Sequence, residues 1–293
     1  MAEELLDSKF LKRLETLQLT TRRVFAGRMR GERRSQRRGV SIEFADYRDY
    51  VRGDDTRFID WNIYGRLDRL FLKLFIEEQD LYLYILVDTS KSMDFGEPNK
   101  MLYAKQLAAA LGYIGLANLD KVGLYAFAEE ETNFLSPTRG KNQVWKLLRF
   151  LNTLEPNGET SLLNVCKSFV VRRPIKGIVI LISDLLDGQG YEEALKWFLH
   201  GNYEVYIIHL LAPEEIDPTL RGHLELIDAE TLYGVEVSVT DGLLKIYRNT
   251  VDVFCGGIKS FCTQYGMHYV LTKTSMPFDR LILDVLRRRG LLR

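Results

Sequence analysis

Leu81-Tyr82-Leu83-Tyr84-Ile85-Leu86-Val87-Asp88-Thr89-Ser90-Lys91-Ser92 is the stretch around which the chain is organised. Its seven apolar or aromatic residues, Leu81 to Val87, run unbroken into an aspartate, and hydroxyls follow at alternate positions. The run is too short for a buried helix. Its aromatic and branched content suits a central strand covered on both faces. In a parallel α/β sheet, ligands bind beyond the carboxyl ends of such strands, so Asp88, Ser90 and Ser92 stand at that edge. Two readings are open at this point: part of a metal site, or the cap of the next helix.

The same pattern recurs along the chain. Lys176 to Asp184 is a second apolar run ending at Ser183-Asp184, and Tyr203 to Leu211 reads as the next buried strand, closed by Ala212-Pro213. Between them, helical periodicity covers about Asn99–Ala117, Gln143–Leu154, Thr160–Val171 and Tyr191–His200. Lys121–Phe127 is predicted as a strand, with a short edge strand at Thr132–Leu135. This alternation predicts a doubly wound, mostly parallel α/β sheet with right-handed crossovers. Residues 213–249 break the rhythm with short strands near His223–Ile227 and Val235–Thr240, read as a small β insertion. A helix over Asn249–Tyr265, a strand over His268–Lys273 and a last helix opened by Pro277 complete the domain, 81–293. The cluster Arg287-Arg288-Arg289 suits the negative end of that helix.

Upstream, residues 1–39 form a first segment. Residues 7–19 read as an amphipathic helix presenting Phe10, Leu11, Leu14 and Leu17 on one face. Eight arginines then fall between Arg22 and Arg38, against a single Glu32. They are either a solvated arm or an electrostatic patch for nucleic acid, anionic lipid or an acidic protein surface. Residues 40–80 form an acidic-aromatic extension in which Glu43, Asp46, Asp49, Asp54, Asp55 and Asp60 alternate with Arg48, Arg52, Arg57 and six aromatics. Carboxylate–guanidinium pairs and arginines over rings make a structural network the favoured reading, ahead of catalysis by Asp54 and Asp55. Leu70–Ile76 is a strand expected to lie beside 81–87, joined to it by a short turn.

Net charge is zero, with 40 basic and 40 acidic residues, and so excludes no class of partner. The composition, 46% hydrophobic and 27% charged, excludes global disorder. Cys166, Cys255 and Cys262 show no CxxC spacing and no accompanying histidines. They argue against zinc and disulfide frameworks and for a cytosolic setting. The acidic start, Met1-Ala2-Glu3-Glu4, does not read as a signal peptide, and no apolar run reaches the ~20 residues of a membrane span. A phosphate-binding G-x-x-x-x-G-K-[ST] loop is absent.

Three loops therefore carry the chemistry: Asp88-x-Ser90-x-Ser92, Gly158-Glu159-Thr160 and Ser183-Asp184. Their carboxylates and hydroxyls are all hard oxygen donors, a set that suits Mg²⁺ or Mn²⁺. Asp88 to Ser92, with Thr160 and Asp184 in the later loops, resembles the metal-ion-dependent adhesion site of von Willebrand factor A domains, Rossmann-like in fold. The block Glu43–Trp61 and the ending Val285–Gly290 resemble the domain-of-unknown-function 58 family, over roughly residues 35 to 293. The resemblance implies that Asp88, Ser90, Ser92, Thr160 and Asp184 bind a divalent cation. It implies further that a partner protein supplies an acidic ligand, that no turnover occurs, and that the associate is a MoxR-type AAA+ ATPase. Leu185 stands where those domains often have glycine. The alternative from another class is a metal-dependent hydrolase acting on an anionic substrate such as nucleic acid. No histidine or lysine is positioned in the motifs as its general base; the intervening Thr89 and Lys91 are expected to point away from the pocket.

Overall fold

The structure, a computed structural model, describes residues 7–19, 42–77, 81–173, 175–228, 234–288 and 290–292. The arginine-rich segment 22–38, Arg289 and the side chains of Glu43 and Phe44 lie outside what is described. The chain divides into two compact units, Met1–Arg22 with Leu81–Arg293, and Arg23–Asp80.

In chain order the elements are α1 (Ser8–Leu14), β1 (Ile42–Asp49), α2 (Trp61–Leu67), β2 (Phe71–Glu77), β3 (Tyr82–Asp88), α3 (Lys100–Ala117), β4 (Lys121–Phe127) and β5 (Glu131–Arg139). Next come α4 (Val144–Asn152), α5 (Leu162–Arg172), β6 (Ile178–Ser183), α6 (Glu192–His200), β7 (Glu204–Leu211) and the short α7 (Pro213–Ile216). The chain continues with β8 (Gly222–Ile227), β9 (Gly234–Val239), α8 (Asp241–Gln264) and β10 (His268–Lys273). It ends in a helical turn, Phe278–Arg280, that widens into a π-helical segment, Leu281–Leu286.

The larger unit is a six-stranded sheet of order β10-β7-β6-β3-β4-β5, parallel except for the antiparallel edge strand β5. Period-2 alternation sorts its side chains between two cores. Leu83, Ile85 and Val87 of β3 face the layer of α1, α3 and α4, while Tyr84 and Leu86 face that of α5, α6 and α8. Leu83, Ile85, Leu86 and Val87 are 0% exposed. At about 1.5–3 kcal/mol each, their burial lets the strand carry an unfavourably buried carboxylate at its end. Order reverses at β3: the chain steps to β4 on one side and later to β6 on the other. The loops after β3 and β6 lead to α3 and α6 on opposite faces, opening the crevice where α/β sheets bind ligands.

Several elements differ from expectation. Helix α1 ends at Leu14, and Phe10, Leu14 and Leu17 pack into the core below α3, with Phe10 edge-on to Phe278 at 5.1 Å. Helix α8 begins at Asp241, eight residues before the sequence placed it, because Thr240 accepts a capping bond from Leu243 N. Pro277 caps the last helical turn instead of lying inside it. Strand β5 runs to Arg139 instead of ending at Leu135.

The smaller unit holds the clearest correction. β2 does not neighbour β3. It pairs antiparallel with β1, with a bulge between Phe44 and Asp46. Both edges of β3 are taken, by β4 and β6, so no place beside it remains. The acidic-aromatic stretch forms a polar network. Asp60 caps α2 through Asn62 N and Ile63 N, pairs with Lys73 at 3.0 Å, and accepts from Tyr47 Oη. Arg48 pairs with Asp54 at 2.7 Å, Arg57 with Asp55, and Arg69 lies over the Phe71 ring. Asp54 and Asp55 thus face different arginines. Bonds to the Arg57 side chain and backbone hold Asp55 at about 2, and bonds from Val51 N and Arg48 hold Asp54 below the usual range. Two ionised carboxylates with separate partners are not an acid–base pair.

Candidate functional site

Asp88 is the last residue of β3 and is fully buried. Its Oδ1 accepts from Ser90 N at 3.0 Å and from Ser90 Oγ at 2.7 Å. Its Oδ2 accepts from Ser183 Oγ at 2.6 Å, across the β3–β6 pair. Ser90 Oγ lies 2.9 Å from Ser92 Oγ, which is half-buried. Ser90 precedes the single 3-10 turn Lys91–Met93, but its hydroxyl makes no capping bond to it. The N-cap of α3 is Asn99, whose Oδ1 accepts from Leu102 N at 3.1 Å.

The second loop is laced onto the first. Asn157 N donates to Thr89 O at 2.7 Å and Lys91 N to Gly158 O at 3.1 Å, while Ser161 N donates to Ala128 O, just after β4, at 3.1 Å. Gly158 sits at φ +78°, a left-handed conformation that glycine adopts without strain. Thr160 is 9% exposed, and the buried Ser161 Oγ has no hydrogen-bond partner among the described residues. The cap of α5 comes from the third loop: Asp187 Oδ2 accepts from Leu162 N at 2.7 Å.

In that third loop, Asp184 is fully buried and its Oδ1 accepts from Leu186 N at 3.2 Å. Leu185 adopts φ +57°, the left-handed conformation for which glycine is the usual residue. Its backbone N–H donates to Ser183 Oγ at 2.9 Å and its side chain is 1% exposed, so local bonding and burial hold a conformation that leucine disfavours.

The fold therefore sets Asp88, Ser90 and Ser92 in one hydrogen-bonded chain, ties the loop of Thr160 against them, and ends the adjacent strand at Ser183-Asp184. It also gives Ser183, named in the sequence only as part of the third loop, a direct bond to the site, and adds two residues that sequence reasoning missed, Lys100 and Glu215. Lys100, the first residue of α3, is fully buried, with Nζ 2.7 Å from Asp184 Oδ2 and 2.5 Å from Glu215 Oε1 of α7. Lys100 lies outside the three motifs in sequence and, as an ammonium between two carboxylates, does not supply the base that the sequence reading found lacking. A signal for Lys100 existed: a cation in the first turn of an apolar helix opposes the helix dipole and calls for a carboxylate nearby.

Burial, then the neighbouring Asp184 carboxylate, push Asp88 up to about 7, against the bonds from Ser183 and Ser90. Burial works to lower the Lys100 ammonium, but Asp184 and Glu215 outweigh it and keep it charged. Burial lowers His209, one strand over on β7, to about 4, so it is neutral at pH 7. Among the described residues, no three His, Cys, Asp or Glu side chains converge as a metal cluster. Hydroxyls would have to complete any oxygen shell here. A cavity of about 490 Å³ lies elsewhere, lined by Tyr82 and Lys121 at the starts of β3 and β4 and by Arg173. Cys166, Cys255 and Cys262 are free thiols. No helix among the described residues is long and apolar enough to cross a membrane.

The molecule is thus a mixed α/β protein with a polar crevice at its strand-order switch. It belongs to the family described as Protein of unknown function DUF58, which matches residues 46–250. An uncharacterized protein of Mycobacterium tuberculosis (strain H37Rv) is 27% identical over 243 residues, covering 81% of this chain and 76% of the relative. An uncharacterized protein of Mycobacterium bovis matches equally. Among solved structures the chain is similar to the conserved hypothetical protein BatB from Bacteroides thetaiotaomicron, at 16% identity and TM-score 0.45, over 72% of this chain and 98% of that one. It is also similar to the manganese-loaded TRAP protein of Plasmodium vivax, at 22% identity and TM-score 0.29, over 44% and 56%.

Proposed function

We propose that the chain is a non-enzymatic interaction module of the von Willebrand factor A type. In this reading Asp88, Ser90, Ser92, Thr160 and Asp184 hold Mg²⁺ or Mn²⁺, and the cation offers an open position to an acidic residue of a partner protein. The observation that carries the reading is the Asp88–Ser90–Ser92 hydroxyl–carboxylate chain, in which the Ser90 hydroxyl bonds the carboxylate and makes no helix-capping bond, and whose side-chain polar atoms are all hard oxygens. When bound, the cation would supply a Lewis-acidic centre for a carboxylate; the chain's residues position it and exclude bulk water. A MoxR-type AAA+ ATPase is the associate this reading assigns, in assembly or remodelling of a protein complex. A cytoplasmic location belongs to the same reading, with any membrane association made through a partner.

The metal-dependent hydrolase is the competing reading. Lys100 would not serve as its base: an ammonium held charged by two carboxylates has no lone pair to accept a proton. The test is thermal unfolding with and without Mg²⁺. Mg²⁺ is expected to raise the melting temperature of the wild type and not that of Asp88→Ala. An equal shift in both would remove the site as described, and Asp88-dependent phosphodiester cleavage under Mn²⁺ would establish the hydrolase instead.

A further inference from the structure

The Lys100 ammonium already occupies part of the proposed cation site. Its two carboxylate partners differ in kind. Asp184 is one of the ligands that the cation-site reading assigns, and it closes the strand whose Ser183 bonds Asp88. Glu215 is not such a ligand: its Oε2 accepts from Ala212 N at 2.7 Å, and its backbone carbonyl accepts from Tyr247 Oη at 2.7 Å, which fix it to the start of α7 and to α8. Lys100 is fully buried, so it can reach no partner protein itself. Its charge acts inside the molecule. A divalent cation and an ammonium cannot both sit against Asp184 Oδ2 without strong like-charge repulsion in so desolvated a setting.

We propose that Lys100 is a built-in rival of the divalent cation for Asp184, with Glu215 as the anchor onto which the ammonium withdraws when a cation enters. The inference rests on the cation-site reading above. It makes the affinity of the site a property of the Lys100–Asp184–Glu215 group as well as of the ligands. While the ammonium is on Asp184 the site is closed to metal, and apparent affinity falls in proportion to the fraction of molecules in the open arrangement. Glu215 favours opening by holding the lysine elsewhere.

Calorimetric titration of Mg²⁺ into the full chain tests this with wild type, Lys100→Met, Glu215→Gln and the double variant, each checked for folding by circular dichroism. Ser92→Ala serves as the control for binding at the cluster. Lys100→Met is expected to bind Mg²⁺ about tenfold to a hundredfold more tightly, the gain from an open fraction of roughly one to ten per cent. Glu215→Gln is expected to weaken binding in the wild type and to change nothing in the Lys100→Met background, because Glu215 acts only through the lysine. A merely local charge effect would be additive instead. If Lys100→Met does not fold, the double variant against Glu215→Gln gives the same comparison. Unchanged or weaker affinity without the lysine, or additive effects, in a site that Ser92→Ala abolishes, would overturn the role of Lys100 and leave the cation site standing. Absence of Mg²⁺ binding in every variant would overturn both.

Discussion

Lys100 Nζ lies 2.7 Å from Asp184 Oδ2, although 84 residues separate them and neither side chain is exposed. The pair joins the start of α3 to the end of β6 across the strand-order switch. Removing one member of a buried pair leaves the other charge uncompensated, at about 3–5 kcal/mol. Lys100→Met is therefore expected to lose stability of that order in urea unfolding, and Lys100→Met with Glu215→Gln to lose less. A loss below about 1 kcal/mol, the range of exposed pairs, would show that the lysine is not held as the geometry requires.

Asp88 makes stability depend on pH. Its folded pKa, pushed up to about 7 by burial and then by Asp184, lies above its ordinary value of 3.8. Between those values the folded chain keeps a proton that the unfolded chain has released, so this group's contribution falls as pH rises through the window. His209 acts oppositely, since its lowered pKa costs stability as pH falls below 6.5 toward 4. The difference between wild type and Asp88→Asn isolates the aspartate. In chelator, the variant is expected to gain on the wild type as pH rises from about 4 to about 7 and to level off above that. Parallel pH profiles would contradict the shift.

Leu185→Gly separates strain from packing. Glycine relieves about 1–2 kcal/mol of left-handed strain, while removal of a buried leucine costs about 2–5 kcal/mol. A net loss of roughly 1–3 kcal/mol is expected, read as a lowered melting temperature. A gain in stability would mean that backbone strain outweighs packing at this loop.

Asn99→Ala removes the cap of α3 and is expected to cost about 1 kcal/mol, measured by urea unfolding. No measurable change would mean that the first turn of α3, and with it Lys100, is placed by other contacts.

The sheet was legible in the sequence because β3 and β6 are short apolar runs with polar stops and β7 is a short, mostly apolar run closed by Ala212-Pro213, a pattern that suits strands covered on both faces. The meeting of Asp88 with Ser183 followed from parallel pairing of those strands. The placement of β2 did not. Phe71–Glu77 is as strand-like as β3, and nothing local says whether such a run joins the nearest strand or pairs back with Ile42–Asp49. Glu215 was also hidden. It lies 115 residues from Lys100, in a turn after Pro213, where an acidic residue reads as an ordinary first-turn helix charge. Only the crossover geometry turns it inward. Lys100 itself left a trace, an unfavourable charge at a helix start, whose meaning depended on carboxylates distant in sequence.

The central claim is that Asp88, Ser90 and Ser92, with Thr160 and Asp184, form a divalent-cation site. Electron paramagnetic resonance of free Mn²⁺, titrated into chelator-treated protein, measures this directly. A single Mn²⁺ bound per chain is expected, lost in a folded Ser90→Ala/Ser92→Ala variant that keeps both aspartates. No Mn²⁺ bound by the wild type, or full binding by the variant, would contradict it.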